Sequence, residues 1–275
     1  MQVPDALKVK MRNFMNKTIV IGGPTASGKT GVAIEIAKEM ERRAQASPEG
    51  AFGGFTGAEV ISADSRAIYQ GMDIGTAKPS MEEQQGVPHW GLDLVKPGER
   101  FTVADWKRYA EEKIAEIRAR GNLPIVVGGT GLYIDALVYD YGFTEKEKVS
   151  QSDRREICSN YLIIGVKWDV EKLRARIAQR VDKLFVQELF NETKKLATLY
   201  NWNTQAMKSN IYQFAWAYLQ GEYDLERAKE LCTYDDWHLA KRQLTWFKRN
   251  KNIVWLPLAE IEPYVIKCIQ DEQRR

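Results

Sequence analysis

Short β-branched apolar runs alternate along this chain with longer stretches in which apolar residues recur every three or four positions. The first run, Thr18-Ile19-Val20-Ile21, predicts a buried strand. Glu59-Val60-Ile61-Ser62-Ala63, Pro124-Ile125-Val126-Val127 and Tyr161-Leu162-Ile163-Ile164-Gly165-Val166 predict three more, and Asn252-Ile253-Val254-Trp255-Leu256 a last short one. Pro88 to Val95 predicts a further short strand in which His89 and Asp93 are structural. Helical periods fill the spaces. One opens at Val32-Ala33-Ile34-Glu35-Ile36-Ala37 and runs to Arg43, before a flexible connection from Ala46 to Gly54. A second begins at the capping box Thr102-Val103-Ala104-Asp105, carries Val103, Trp106, Ala110, Ile114 and Ile117 on one face, and stops at Gly121. A third, capped by Asp169, is long, with Leu173, Ile177, Val181, Leu184 and Glu188 in step. Beyond residue 200 the pattern is helical, broken by Gly221 and by Tyr234-Asp235-Asp236, and a tail helix follows the last strand. The pattern predicts an α/β fold: a parallel sheet flanked by helices over 14–168, then a helical C-terminal part over 169–275 packed on it. Residues 139–160 are polar and form a short link within the first part.

The first strand leads into Gly22-Gly23-Pro24-Thr25-Ala26-Ser27-Gly28-Lys29-Thr30, and a helix follows at once. Strand, glycine loop and helix are the context that gives the spacing G-x-x-x-x-G-K-[ST] its meaning, and the fold expected is P-loop NTPase-like. Glycines allow successive N–H groups to face one concavity, and the helix behind adds its unpaired N–H groups and positive dipole end. Lys29 supplies a mobile charge, and the Thr30 hydroxyl is the candidate ligand for Mg²⁺. Arg174, Arg176 and Arg180 on the third helix can clamp the same anion. This is a phosphate site, and the spacing does not choose between a nucleotide and another diphosphate.

Two other strands end in special chemistry. One meets Asp64-Ser65-Arg66 and the other Gly128-Gly129-Thr130-Gly131. In a parallel sheet all three ends gather at one edge, where such folds bind ligands. Asp64 has two readings there, a Mg²⁺ partner or a general base beside a reacting amine. Thr130 is a side-chain donor or acceptor aimed into the cleft. Ile68 to Pro79 has no clean period, and its glycines and terminal proline predict irregular, functional backbone. Near the C-terminus, Lys241, Arg242, Thr245, Lys248 and Arg249 share one helical face and, with Lys251, offer a stripe for a phosphate backbone. Gln243 falls among the apolar positions, so its amide needs a partner, and a base edge is one.

Composition narrows the setting. The 275 residues are 44% hydrophobic and 28% charged, ordinary for a globular protein, and the net charge of +3 leaves any nucleic-acid role to local clustering. No apolar run is long enough to span a bilayer, and the N-terminus does not read as a secretory signal. Cys158, Cys232 and Cys268, with His89 and His238, lie in no metal-ligand spacing and argue against structural zinc. A reducing cytoplasm, no membrane and a monomer are the expectations.

The blocks Gly23 to Thr30, Ser62 to Arg66, Tyr69 to Pro79, Val127 to Tyr133 and Ala240 to Phe247 together resemble the tRNA dimethylallyltransferases, over most of 17–137 and again over 161–256. That family places an isopentenyl group on N6 of adenosine 37 beside the anticodon. The resemblance implies that Gly23, Thr25, Ala26, Ser27, Gly28, Lys29 and Thr30, with Arg180, hold the diphosphate of dimethylallyl diphosphate with Mg²⁺. It implies that Asp64, Thr130 and Lys29 are catalytic, with Asp64 serving the N6 proton. Asp64, Ser65, Arg66, Ala67, Thr130, Lys241, Arg242, Gln243, Thr245 and Lys248 then face the tRNA anticodon stem-loop. Two departures stand out. The family's helical insertion before the strand near 161 is replaced by the link 139–160, and a family glycine is lost within Ser209-Asn210-Ile211-Tyr212-Gln213. Both fall on the RNA side, so prenyl transfer to free AMP or ADP is the alternative from the same chemistry, and a P-loop small-molecule kinase the alternative from another.

Overall fold

A computed structural model describes residues 16–47, 49–143 and 160–273. Cys158 and most of the link expected over 139–160 lie outside them. Among the described residues six strands form one sheet in the order β3-β2-β4-β1-β5-β6: β1 (Thr18–Gly22), β2 (Gly57–Ser62), β3 (His89–Trp90), β4 (Asn122–Gly128), β5 (Tyr161–Lys167) and β6 (Val254–Pro257). Every pairing is parallel, with Gly22 of β1 in register with Gly128 of β4 and Gly165 of β5. The order in which strands are added reverses at β1, which lies between β4 and β5, and such a switch point is where folds of this kind open their ligand crevice.

Alternation along the strands divides the core into two layers. Ile19, Ile21, Ile125 and Ile164 face α1 (Lys29–Ala46). Val20, Ile61, Val126 and Ile163 face α3 (Val103–Ala119) and α4 (Gly131–Val138). The capping box of α3 forms as expected: the Thr102 hydroxyl accepts from Asp105 N–H, and the Asp105 carboxylate accepts from Thr102 N–H. Between β2 and α3 lie the short α2 (Met81–Gln84) and the two-residue β3. Only His89 and Trp90 of the strand expected over 88–95 pair with the sheet, because Gly91 turns the chain at φ 82°.

The remaining helices are α5 (Val170–Leu184), α6 (Gln187–Leu199), α7 (Asn210–Leu219), α8 (Leu225–Lys248) and α9 (Leu258–Gln273). Three expectations change here. The long helix through Glu188 is two helices: Phe185 leaves helical geometry, and the bend lets Phe185 and Phe190 pack edge to face in one apolar cluster. Conversely, Tyr234-Asp235-Asp236 does not break α8, because it holds no glycine or proline and the Asp236 carboxylate is satisfied by Arg180 at 2.8 Å. The boundary at 168 does not divide the core either. β6 adds to the sheet beside β5, and Ile261, Val265 and Ile269 of α9 bury with α1 residues in the first layer. Among the described residues no helix is long and apolar enough to cross a membrane.

Candidate active site

Between Gly22 and Lys29 the backbone turns through left-handed geometry at Ala26 (φ 59°) and Gly28 (φ 82°). Gly28 provides no side-chain cap, so the first N–H groups of α1 are left to a ligand. Four side chains from distant elements hold the loop from behind. Gln243 Oε1 accepts from Thr25 N–H at 2.8 Å, Arg176 Nε donates to Ala26 O at 2.9 Å, and Trp168 Nε1 donates to Ser27 O at 2.9 Å. The fourth, Leu258, packs so closely that a Cβ on Gly28 would stand 2.9 Å from it. Ser27 is fully buried and its hydroxyl has no partner among the described residues, a polar atom that suits a phosphate or cation.

Lys29 donates to Pro24 O at 3.0 Å. Burial pulls its ammonium down to about 8, with Arg180 adding to that and Asp64 opposing it. A bound anion restores what the lysine lacks, so the site is electrostatically prepared for negative charge.

The ends of β2 and β4 are bound together beside the loop. Thr130 N–H donates to Ala63 O at 3.1 Å, and its hydroxyl accepts from Ser65 N–H at 3.0 Å. Asp64 Oδ1 accepts from Arg66 N–H at 2.8 Å, which fixes the carboxylate through a local turn. The glycines of the β4 turn permit this closeness: a Cβ on Gly128 would lie 2.0 Å from Ala63 O, and one on Gly131 2.2 Å from the Trp246 ring.

Two cavities open here. The larger, about 570 Å³, is lined by the loop from Thr25 to Gly31 with Arg176, Arg180 and Lys183. The smaller, about 330 Å³, is lined by Ser65, Arg66, Thr130, Asp236, Arg242 and Gln243, with Gly75, Thr76 and Ile211 on another wall. Thr25, Lys29, Asp64, Thr76 and Arg180 line both. A cationic pocket and a mixed polar pocket therefore meet at one ammonium, one carboxylate and one guanidinium.

The expected residues sort unevenly across this geometry. Lys29, Asp64, Thr130 and Arg180 come together. Lys241, Arg242, Thr245 and Lys248 are exposed on α8 as the stripe required, with Lys241 also 5.8 Å from the centre of the Trp237 ring. Arg66 Nη1 donates to Gln205 O at 2.6 Å. Ala67, expected to face RNA, is 5% exposed and packs in the wall of the larger cavity. Gln243 needs no base edge: besides Thr25 N–H it donates to Gly129 O at 3.1 Å, so its amide ties the phosphate loop to the β4 turn. Asp236 was hidden from sequence reasoning. Its position four residues before Ala240 and four after Cys232, both buried, was the available signal. Burial pushes the Asp236 carboxyl up, opposed by Arg180, and the pair holds that guanidinium between the cavities.

A phosphate loop at the switch point of a parallel sheet, with a carboxylate and a hydroxyl at the neighbouring strand ends, defines a P-loop α/β protein built to act on a phosphorylated substrate. The family model for IPP transferase matches residues 67–159 and 143–250. The chain belongs to that family. Its two matched segments overlap over 143–159. A tRNA dimethylallyltransferase of Acetivibrio thermocellus is 34% identical, with 90% of this chain and 94% of that one covered. One of Bacillus subtilis is 31% identical over 90% of this chain and 93% of that one. In three dimensions the chain is similar to the tRNA isopentenylpyrophosphate transferase of Bacillus halodurans, with TM-score 0.78, 28% identity and coverage of 94% and 98%. A eukaryotic dimethylallyltransferase acting on tRNA shares the fold, with TM-score 0.70 at 20% identity over 88% of this chain and 74% of that one.

Proposed function

We propose that this chain transfers a dimethylallyl group from dimethylallyl diphosphate to N6 of adenosine 37 in tRNA, releasing diphosphate. The observation that carries the reading is the meeting of Lys29, Asp64 and Arg180 where the two cavities join, within a chain of this family. The larger, cationic cavity takes the diphosphate and the smaller takes the adenine. As the allylic C–O bond breaks, negative charge builds on the leaving diphosphate, where the loop N–H groups, Lys29 and Arg180 stabilise it. The neutral exocyclic amine is a weak nucleophile, and Asp64 accepts its proton as the new C–N bond forms. Thr130, held on Ser65 N–H, keeps that carboxylate's turn against β4. An adenine reaches such an enclosed position only unstacked from its neighbours. The exposed bases of α8 then follow the RNA backbone.

Mg²⁺ fits the donor side, since it keeps several waters and needs few protein oxygens beside phosphate. Thr30, in the same cavity wall as Asp64 and near the unpartnered Ser27 hydroxyl, would hold it. When bound, it neutralises charge on the diphosphate. Free, buried Cys232 and Cys268 agree with work in the cytoplasm, and we take the acting form as a monomer.

Labelled dimethylallyl diphosphate incubated with an anticodon stem-loop, and separately with AMP, tests the reading. Label in the RNA is the expected result. Label in AMP alone makes the chain an adenylate transferase, and hydrolysis of ATP without either transfer overturns the proposal.

A further inference from the structure

Residues 73–75 turn three successive backbone N–H groups toward one acceptor. Asp73 N–H donates to Glu192 Oε2 at 2.9 Å, and Gly75 N–H to Oε1 at 3.0 Å. Ile74 N–H lies between, 3.1 and 3.0 Å from the two oxygens. Consecutive N–H groups arranged in this way make an anion-binding concavity, and here the anion is a side chain of α6. The Tyr212 hydroxyl of α7 completes the shell, donating to Oε1 at 2.6 Å. Burial, with the adjoining Glu192 carboxylate, pushes this phenol far above its ordinary range, so it stays protonated and remains a donor. The Tyr212 ring also lies against the loop: a Cβ on Gly75 would stand 2.4 Å from its Cζ. At the loop's other end, Lys78 Nζ donates to Tyr69 O at 2.9 Å and to the Asp93 carboxylate at 2.6 Å.

Neither Glu192 nor Tyr212 lines the cavities, yet Gly75 and Thr76 do. The segment between Glu192 and the acceptor cavity is thus one residue deep and fixed by charge-assisted bonds. We propose that Glu192 is a positioning residue for the acceptor, its carboxylate seated on the amides of 73–75 and closed by Tyr212 so that Gly75 and Thr76 stand where the incoming base packs. This rests on reading the smaller cavity as the acceptor site. The phosphate loop is held by other elements, and of residues 73–76 only Thr76 reaches the donor cavity.

The test compares Glu192→Ala with the unaltered chain. Glu192→Ala leaves three donors unmet, and we expect KM for the anticodon stem-loop to rise about tenfold while kcat at saturating RNA and the affinity for inorganic diphosphate each stay within about twofold. Formate, small enough to enter the vacated concavity, restores much of the RNA KM, and chloride at equal ionic strength does not. Tyr212→Phe removes only the closing hydroxyl and shifts the RNA KM in the same direction by a smaller factor. An unchanged RNA KM, an equal loss of diphosphate affinity, or rescue by neither salt overturns the assignment. Should Glu192→Ala not fold, an unchanged RNA KM in Tyr212→Phe does so. If the unaltered chain transfers no prenyl group, the activity reading fails by itself. Amide exchange at 73–75 then decides the Glu192 contact: faster in Glu192→Ala and slowed again by formate, or the contact is without effect.

Discussion

The donor loop and the acceptor wall are built on opposite plans. The loop is eight contiguous residues, Gly23 to Thr30, whose working parts are mostly backbone N–H groups and one ammonium. The acceptor wall is assembled from the turn after β2, the 73–76 segment, the β4 turn, α5, the start of α7 and α8, each giving between one and four residues. A site made of main chain tolerates change everywhere except in its own turn. A site made of scattered side chains can be retuned piece by piece.

Mutations can break that contrast or sharpen it. Lys29→Ala removes the ammonium both cavities share, so transfer should fall by about 10³-fold or more and diphosphate binding with it, as calorimetry would record. Asp64→Asn removes the group that accepts the N6 proton and leaves the loop N–H groups and Lys29 in place, so diphosphate affinity should persist while single-turnover transfer drops by about 10²-fold. Full activity in that variant refutes the base assignment. Gln243→Leu crosses the boundary. Although it stands in the acceptor wall, it holds Thr25 N–H and Gly129 O, and leaving both unpaired should raise the donor KM about tenfold. A rise in the RNA KM alone returns Gln243 to the role its sequence position suggested.

Acidity separates the halves further. The Lys29 ammonium lies at about 8, below its ordinary 10.5, so the folded chain holds this proton fully only below that pH. Affinity for dimethylallyl diphosphate should decline as pH rises through 8, and Lys29→Arg, which does not titrate there, should flatten the decline. The stability contribution has the other sign. Between about 8 and 10.5 the unfolded chain binds the proton and the folded one does not, so the cost of burying this charge is relieved and stability from this group rises as pH climbs through that window. The smallest effect belongs to Lys248→Ala on the exposed stripe. Its RNA affinity should fall a few-fold and the salt dependence flatten by about one unit of slope, equally for all sequences.

How much of this was legible in the sequence follows the same division. The strand-loop-helix around Lys29 and the strand ends at Asp64 and Thr130 were readable because local backbone chemistry defines them. The parallel sheet followed from alternating runs. What stayed hidden was long-range pairing. Nothing near Asp236 announces that Arg180 will neutralise it, so three polar residues were read as a helix break. Gln243 was correctly marked as needing a partner, but its partner lay in the loop more than two hundred positions upstream. Nothing in the sequence around Glu192 points to the amides of 73–75 that its carboxylate meets. The split of the long helix at Phe185 was equally unreadable, because the pattern continues in step across it and only burial of Phe185 and Phe190 favours the bend.

The edge strand β6 and helix α9 carry a consequence for synthesis. A nascent chain grown only to residue 250 already contains the whole glycine loop, but it lacks Leu258 against Gly28 and the α9 residues that bury with α1. Translation therefore delivers the anion cradle early and its rear support last. An early stop codon in that final stretch should yield a protein bearing an intact signature and an unbraced turn, so counting the motif in a gene fragment would overstate how many functional copies a cell makes.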